Sequence, residues 1–175
     1  DVQTADNHRF NASFDVYVSR RFFVTAPSFT WYRDKFQNTQ QQITSGIGLG
    51  YDVIKRKKID WEIGLGAAHQ YTEFISVSQD SGAAQDAAAT FSSGLDLEIT
   101  KDLDWDTDYK LVLVITDLGL TSHHLLSTLS FDIWGPLDLD VSFTWDRVEQ
   151  PVARDDGSVP ESDDYRLSVG IGIDF

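Results

Sequence analysis

Carboxylates are the most abundant reactive side chains in this chain: 28 Asp and Glu stand against 14 Lys and Arg, a formal charge of -14. A chain of pI near 4.4 repels nucleic acid, whose binders need a basic footprint. Ten of the acids recur alone or two apart: Asp52, Asp60 and Glu62, Asp96 and Glu98, Asp106 and Asp108, Asp132, Asp138 and Asp140. Gathered at one place they form an acidic ring, with Asp174 as an eleventh member. Oxygen ligands at close spacing suit Ca²⁺ or Mg²⁺. Charged rings in a pore select cations. The chain has no cysteine, which excludes disulfides, thiol catalysis and cysteine-ligated metals. A hydrolytic site needs a nucleophile, a base and an orienting acid. Ser122, His123 and His124 near Asp117 come closest, but adjacent histidines on a strand face opposite ways. Asp155-Asp156-Gly157 with Asp163-Asp164 lacks the spacing of an EF-hand loop. No catalytic residue is assigned, and no cofactor beyond weakly bound Ca²⁺ or Mg²⁺.

The elements that would carry these groups are strands. From Ile59 to Tyr71 apolar and aromatic residues hold the odd positions, with Asp60, Glu62, Gly64 and Gly66 between them. That period of two is the signature of a strand with unlike faces. It recurs from Phe10 to Val18, Ile43 to Val53, Phe91 to Ile99, Trp105 to Ile115, Leu125 to Ile133, Leu137 to Trp145 and Tyr165 to Phe175. Phe22–Arg33 is a ninth strand whose faces are blurred around Pro27. The connections alternate between two kinds. Short turns lie at Arg20-Arg21, Lys55–Lys58, Lys101–Asp104 and Trp134–Pro136. The others are Lys35–Asn38, Ile75–Asp86, Asp117–Thr121 and Glu149–Ser162. Short turns at one end and longer loops at the other are the pattern of outer-membrane barrels. The longest aliphatic run, Leu111–Ile115, is far too short for a transmembrane helix.

Polarity then orients the sheet. The large aliphatic face is flanked by Trp61 and Trp105 at the short-turn end and by Tyr71, Trp145 and Tyr165 at the other, an aromatic girdle. Ten steps from Trp61 to Tyr71 rise roughly 33 Å, or ~25 Å when tilted by about 40°, the height of a barrel's apolar band. The opposite face is glycine, serine and carboxylate, which suits a wet lumen, whereas a soluble barrel reverses the two faces. All ten acids fall toward the short turns. Matching faces across the hairpins sets Asp52 against Asp60, Glu98 against Asp106, Asp96 against Asp108 and Asp132 against Asp138. Three explanations fit such a ring. It is a hydrated mouth neutralised by Arg20, Arg21, Lys55, Arg56, Lys57, Lys58 and Lys101, a cation-attracting vestibule, or a docking ring for a basic periplasmic segment.

At the C-terminus Ser168, Gly170, Ile173 and Phe175 fill the places of the insertion signal that bacterial barrel-assembly machinery reads, and they resemble that signal. The runs Val16–Val24, Tyr32–Asn38 and Gly46–Tyr51 resemble the domain-of-unknown-function family of salt-induced outer-membrane proteins. The resemblance implies an outer-membrane barrel with lipid and lipopolysaccharide as surroundings and no established reaction. It also implies strands before His8, as does the odd count, because single-chain bacterial barrels are even. The absence of methionine and the start at Asp1 point to a processed product. The expectation is therefore an all-β, antiparallel up-and-down transmembrane β-barrel. Residues 1–175 form a single β-barrel domain, nine strands of a larger even-stranded barrel, in the bacterial outer membrane. Its role is structural, scaffolding or small-solute, cation-favouring permeation rather than catalysis. The rivals are an outer-membrane enzyme acting on lipid or peptide and a soluble β-barrel binding module.

Overall fold

The computed structural model describes residues 7–77, 82–135 and 137–173, with only the backbone at Ile173. Asp174, Phe175 and Pro136 lie outside the described residues. Nine strands form one antiparallel sheet in sequence order: β1 (Asn7–Tyr17), β2 (Phe22–Asp34), β3 (Thr39–Arg56), β4 (Ile59–Phe74), β5 (Ala83–Thr100), β6 (Leu103–Val114), β7 (Ser122–Trp134), β8 (Leu137–Val148) and β9 (Asp163–Ile173). β3 and β5 each run 18 residues, about three times the usual strand length in soluble sheets. Arg9 of β1 and Asp146 of β8 stand far apart in the sheet order, yet their side chains meet at 2.7 Å. The sheet is therefore curled, with its polar face inside.

Burial is inverted relative to a soluble protein. Ile47, Leu49, Leu65, Val169 and Ile171 are 53–74% exposed, while Gln70, Asp52, Asp34 and Asp146 are at most 2% exposed. Glycine wall positions admit larger side chains from opposite strands. A Cβ on Gly50 would come within 2.1 Å of the Phe23 ring, so this aromatic occupies the space that glycine leaves.

Four departures from the periodic pattern have local causes. In β2, Ala26 and Pro27 together oppose one residue on each neighbouring strand, a bulge that swaps the inward parity. Phe23 and Thr25 face the lumen before it, and Thr30, Tyr32 and Asp34 are buried after it. That swap blurred the faces in sequence. The second departure is register. Asp52 stands opposite Glu62 rather than Asp60, and Asp96 and Glu98 stand opposite Asp106 and Asp104 rather than Asp108 and Asp106. Single extra residues at Val53 and Ile99 let the strands turn on two residues, and a slip of two leaves every face unchanged. Asp132 does stand opposite Asp138. Third, Ala83–Asp86 belongs to β5 rather than to a loop. This alanine-rich run carries little strand propensity and is held by its ladder to β4, Gln70 against Asp86 included. Fourth, Leu118–Leu120 is a 3₁₀ turn whose cap, Asp117, accepts from the Gly119 amide at 2.9 Å.

Gly50→Ala should destabilise the barrel by about 1–3 kcal/mol through overpacking. Phe23→Leu in the same chain should recover part of the loss, read as the urea midpoint of the purified protein. Equal stability of Gly50→Ala and the parent would remove Phe23 from the lumen wall.

Candidate functional site

The lumen is electrostatically divided along its length. At the short-turn end the registers stack carboxylates in rows across the wall. Asp60, Asp96 and Asp106 are successive partners on β4, β5 and β6, and Asp52 faces Glu62 one level above them. Glu98 and Asp104 occupy the level nearer the turns, with Ser130 and Asp140 continuing that row. Asp60, Glu62, Asp96, Asp106 and Asp108 line a cavity of about 230 Å³. Like charges directly opposed on a strand pair are destabilising, so this arrangement requires counter-charge or hydration.

Part of that counter-charge is built in. The extra residue at Val53 lets Lys55 approach the face of Asp52, with Nζ 2.9 Å from Asp52 and 3.7 Å from Asp60. Tyr17 Oη donates to the Asp52 carboxylate at 3.4 Å. Lys58 reaches Glu98 at 2.6 Å, and Ser130 donates to Asp140 at 2.7 Å. Two of the seven basic turn residues thus touch the ring by these contacts, whereas Lys101 pairs with Asp102 outside it. Among the described residues no group of three or more His, Asp or Glu is arranged to hold a metal ion. Asp104, taken in sequence as part of a turn, is an acid of this end that spacing missed.

Toward the long loops the lumen carries charges of both signs, with Arg9, Arg166 and Lys110 among the acids Asp34, Asp86, Asp146 and Asp164. Asp146 is a buried hub that receives Arg9 at 2.7 Å, Arg166 at 2.9 Å and His124 Nδ1 at 2.8 Å. Arg166 also donates to Asn7 at 2.6 Å, which joins β9 to β1 through side chains. The Arg9 guanidinium lies 4.4 Å from the centre of the Tyr32 ring, and Tyr32 Oη donates to Asp34 at 2.8 Å. Between hub and basin, Lys110 Nζ crosses from β6 to Thr30 of β2 at 2.8 Å. Ser13, Ser28, Thr30, Ser92, Lys110 and His124 are among the residues lining a cavity of about 350 Å³ there.

The remaining sequence candidates separate. His123 faces outward, stacked on Trp145 at 5.8 Å and bonded to Tyr109 Oη at 2.8 Å, while His124 faces the lumen. With Asp117 occupied as a turn cap, Ser122, His123, His124 and Asp117 are not brought together as a catalytic set. The girdle residues are anchored from their polar edges: Trp61 Nε1 donates to Ser93, Trp105 Nε1 to Ser127 and Trp145 Nε1 to Asp163. Tyr165 stacks on Phe143 at 6.3 Å, and Tyr71 lies in β4 opposite Ile43. Trp134, 81% exposed beside the β7–β8 turn, is a further outward aromatic. Of the insertion-signal residues, Ser168 and Gly170 pair with Ser142 and Asp140, and Ile173 with Leu137; Phe175 lies outside the described residues.

A curled antiparallel sheet with aliphatic residues outside and charges inside is a porin-like β-barrel fold. A crystal structure of the NanC porin is similar over 97% of this chain and 79% of its own, with a TM-score of 0.57 and 12% identity. The chain belongs to the family described as "Protein of unknown function, DUF481", which it matches over residues 1–175. No curated protein matches it in sequence.

Two measurements probe the upper network. Asp146→Ala leaves Arg9, Arg166 and His124 facing one another and should cost roughly 3 kcal/mol, as for a broken buried ion pair. Asp140→Ala should cost much less. Comparable losses would remove Asp146 as the hub. At the outer rim, Arg147 bonds Glu149 at 3.1 Å and holds its carboxyl below the ordinary glutamate range. The lowered folded pKa makes this stabilisation present above the unfolded value and lost as pH falls through the folded one. Glu149→Gln and the parent should therefore differ in melting temperature at neutral pH and converge in acid.

Proposed function

We propose that the protein is an integral outer-membrane β-barrel of a Gram-negative bacterium whose lumen passes small solutes and favours cations. The inverted burial is the observation that carries this assignment. Soluble sheets bury their large aliphatic residues, because each Å² of apolar surface taken from water contributes about 25 cal/mol. Here those residues face outward and the charges are sequestered, which is stable only where hydrocarbon replaces water. The same observation counts against a soluble binding module. Against an outer-membrane enzyme counts the dispersal of Ser122, His123, His124 and Asp117, so no catalytic role is proposed.

The acidic basin supports the cation preference. Carboxylates around a cavity at the lumen's end raise local cation concentration and exclude anions. Recognition of a basic periplasmic segment is the second reading of the same surface. Lipid and lipopolysaccharide would contact the aliphatic belt, and the assembly machinery would read Ser168, Gly170, Ile173 and Phe175. β1 and β9 run in the same direction, so they cannot pair antiparallel with each other. An odd number of further strands between them would complete an even barrel. The salt-induced character implied by the resemblance would appear as raised expression in high salt.

The protein should fractionate with the outer membrane and show heat-modifiable migration. In a planar bilayer under a KCl gradient its current should reverse on the cation side. Replacing Asp60, Glu62, Asp96, Asp106 and Asp108 by their amides should move that reversal toward zero. A reversal potential indifferent to these replacements would remove the basin from the permeation path.

A further inference from the structure

Loops on a barrel rim are normally solvated. Here several residues at the long-loop end are among the most buried in the protein: Asn38 is 1% exposed, Gln37, Thr39 and Thr121 5%, and Leu120 8%. The cause is a lacing of four connections through one short segment. At the start of the β8–β9 connection, Glu149 and Gln150 donate their amides to Thr121 and Gly119 of the β6–β7 connection at 3.0 and 2.8 Å. Two residues on, the Val152 carbonyl accepts from Asn38 Nδ2 of the β2–β3 connection at 3.2 Å. Two further on, Arg154 Nη2 donates to the Phe36 carbonyl at 2.8 Å. Asn38 also donates to the Ser76 carbonyl of the β4–β5 connection at 2.7 Å and accepts from the Ser76 amide at 3.1 Å.

The distances make this a bridge between connections that are not neighbours in the sheet order. Gln150 to Val152 reaches at most about 7 Å, the extended length of two residues. Along the wall from β3 to β6 there are three strand spacings of ~4.8 Å, about 14 Å in all. With a hydrogen bond at each end and the reach of the Asn38 side chain, the segment spans this separation directly and ties the β6–β7 connection to the β2–β3 connection. Asn38 is placed for its three bonds by a backbone φ of 60°. Asparagine tolerates that conformation, and glycine adopts it freely.

We propose that residues 149–154 form a strap that closes the long-loop mouth of the barrel, pinned by Asn38 and Arg154, so that solute passage requires its release. This rests on the permeation reading above. The lumen then opens by its own structure only toward the acidic short-turn end, and the strap sets when the other end communicates.

The test compares single-channel currents of the parent, of Asn38→Gly combined with Arg154→Gln, and of a third protein in which residues 150–161 become a Gly-Ser turn. Asn38→Gly keeps the backbone conformation while removing the side-chain pin. Both variants should pass a severalfold larger current than the parent. Since the chain has no cysteine, Ser92→Cys adds a unique thiol in the lumen cavity. A thiol reagent should then block the enlarged current, showing that it runs through the lumen. A parent current already as large and as blockable as that of the strapless protein would overturn the proposal. So would an unchanged current in the strapless protein, with the membrane assignment left standing. Failure of all three proteins to insert into bilayers would instead sink the outer-membrane assignment, and the strap with it.

Discussion

A sheet with hydrocarbon on its outer face has no water there to satisfy a free N–H or C=O, so its backbone must be paired strand to strand. Under the proposed membrane setting, the rest of this protein follows from that constraint. Each strand is at least as long as the roughly 9–11 residues a spanning strand needs, and in a membrane every second side chain would have to be compatible with lipid. The polar half of each strand is thereby confined to the interior, whatever its charge. A chain with twice as many acids as bases cannot scatter them over a surface; it has to arrange them inside the curl.

The interior resolves that crowding by segregation. Acids collect at the short-turn end, where Lys55 and Lys58 can lean in from adjacent turns and water can hydrate the remainder. Farther from that mouth the buried Asp146 has three nitrogen partners, and the buried Asp34 accepts from the Tyr32 hydroxyl and from the Phe36 and Gln37 amides. The contrast follows from desolvation: a solvated carboxylate tolerates a like-charged neighbour, but a buried one requires donors at hydrogen-bond distance. The Asp146 hub also does structural work, because Arg9 and Arg166 link β1 to β8 and β9 by side chains although these strands share no ladder with β1.

Bulges are the means by which a repetitive sequence becomes a specific lumen. The extra residue at Val53 changes which face Lys55 reaches, and Ala26-Pro27 turns Phe23 and Tyr32 to the same side although their positions differ by an odd number. In each case one residue's displacement decides which charge or ring enters the interior. A regular sheet of the same composition would lack both the Phe23–Gly50 contact and the Lys55–Asp52 pair.

Period-two alternation by itself determined eight of the nine strands, their up-and-down order, the two kinds of connection and which face is aliphatic. Side chains on a strand alternate by covalent geometry, and no tertiary contact is needed to read that. The gathering of acids toward the short turns was legible for the same reason. Register was not: a slip of two residues preserves both faces, so only the ladder could replace Asp52–Asp60 by Asp52–Glu62 and set Asp104 opposite Glu98. Nor could alternation show that Arg9, Asp146 and Arg166 converge, or that Asn38 holds two distant loops. Those contacts arise from curling the sheet, which brings together residues more than a hundred positions apart.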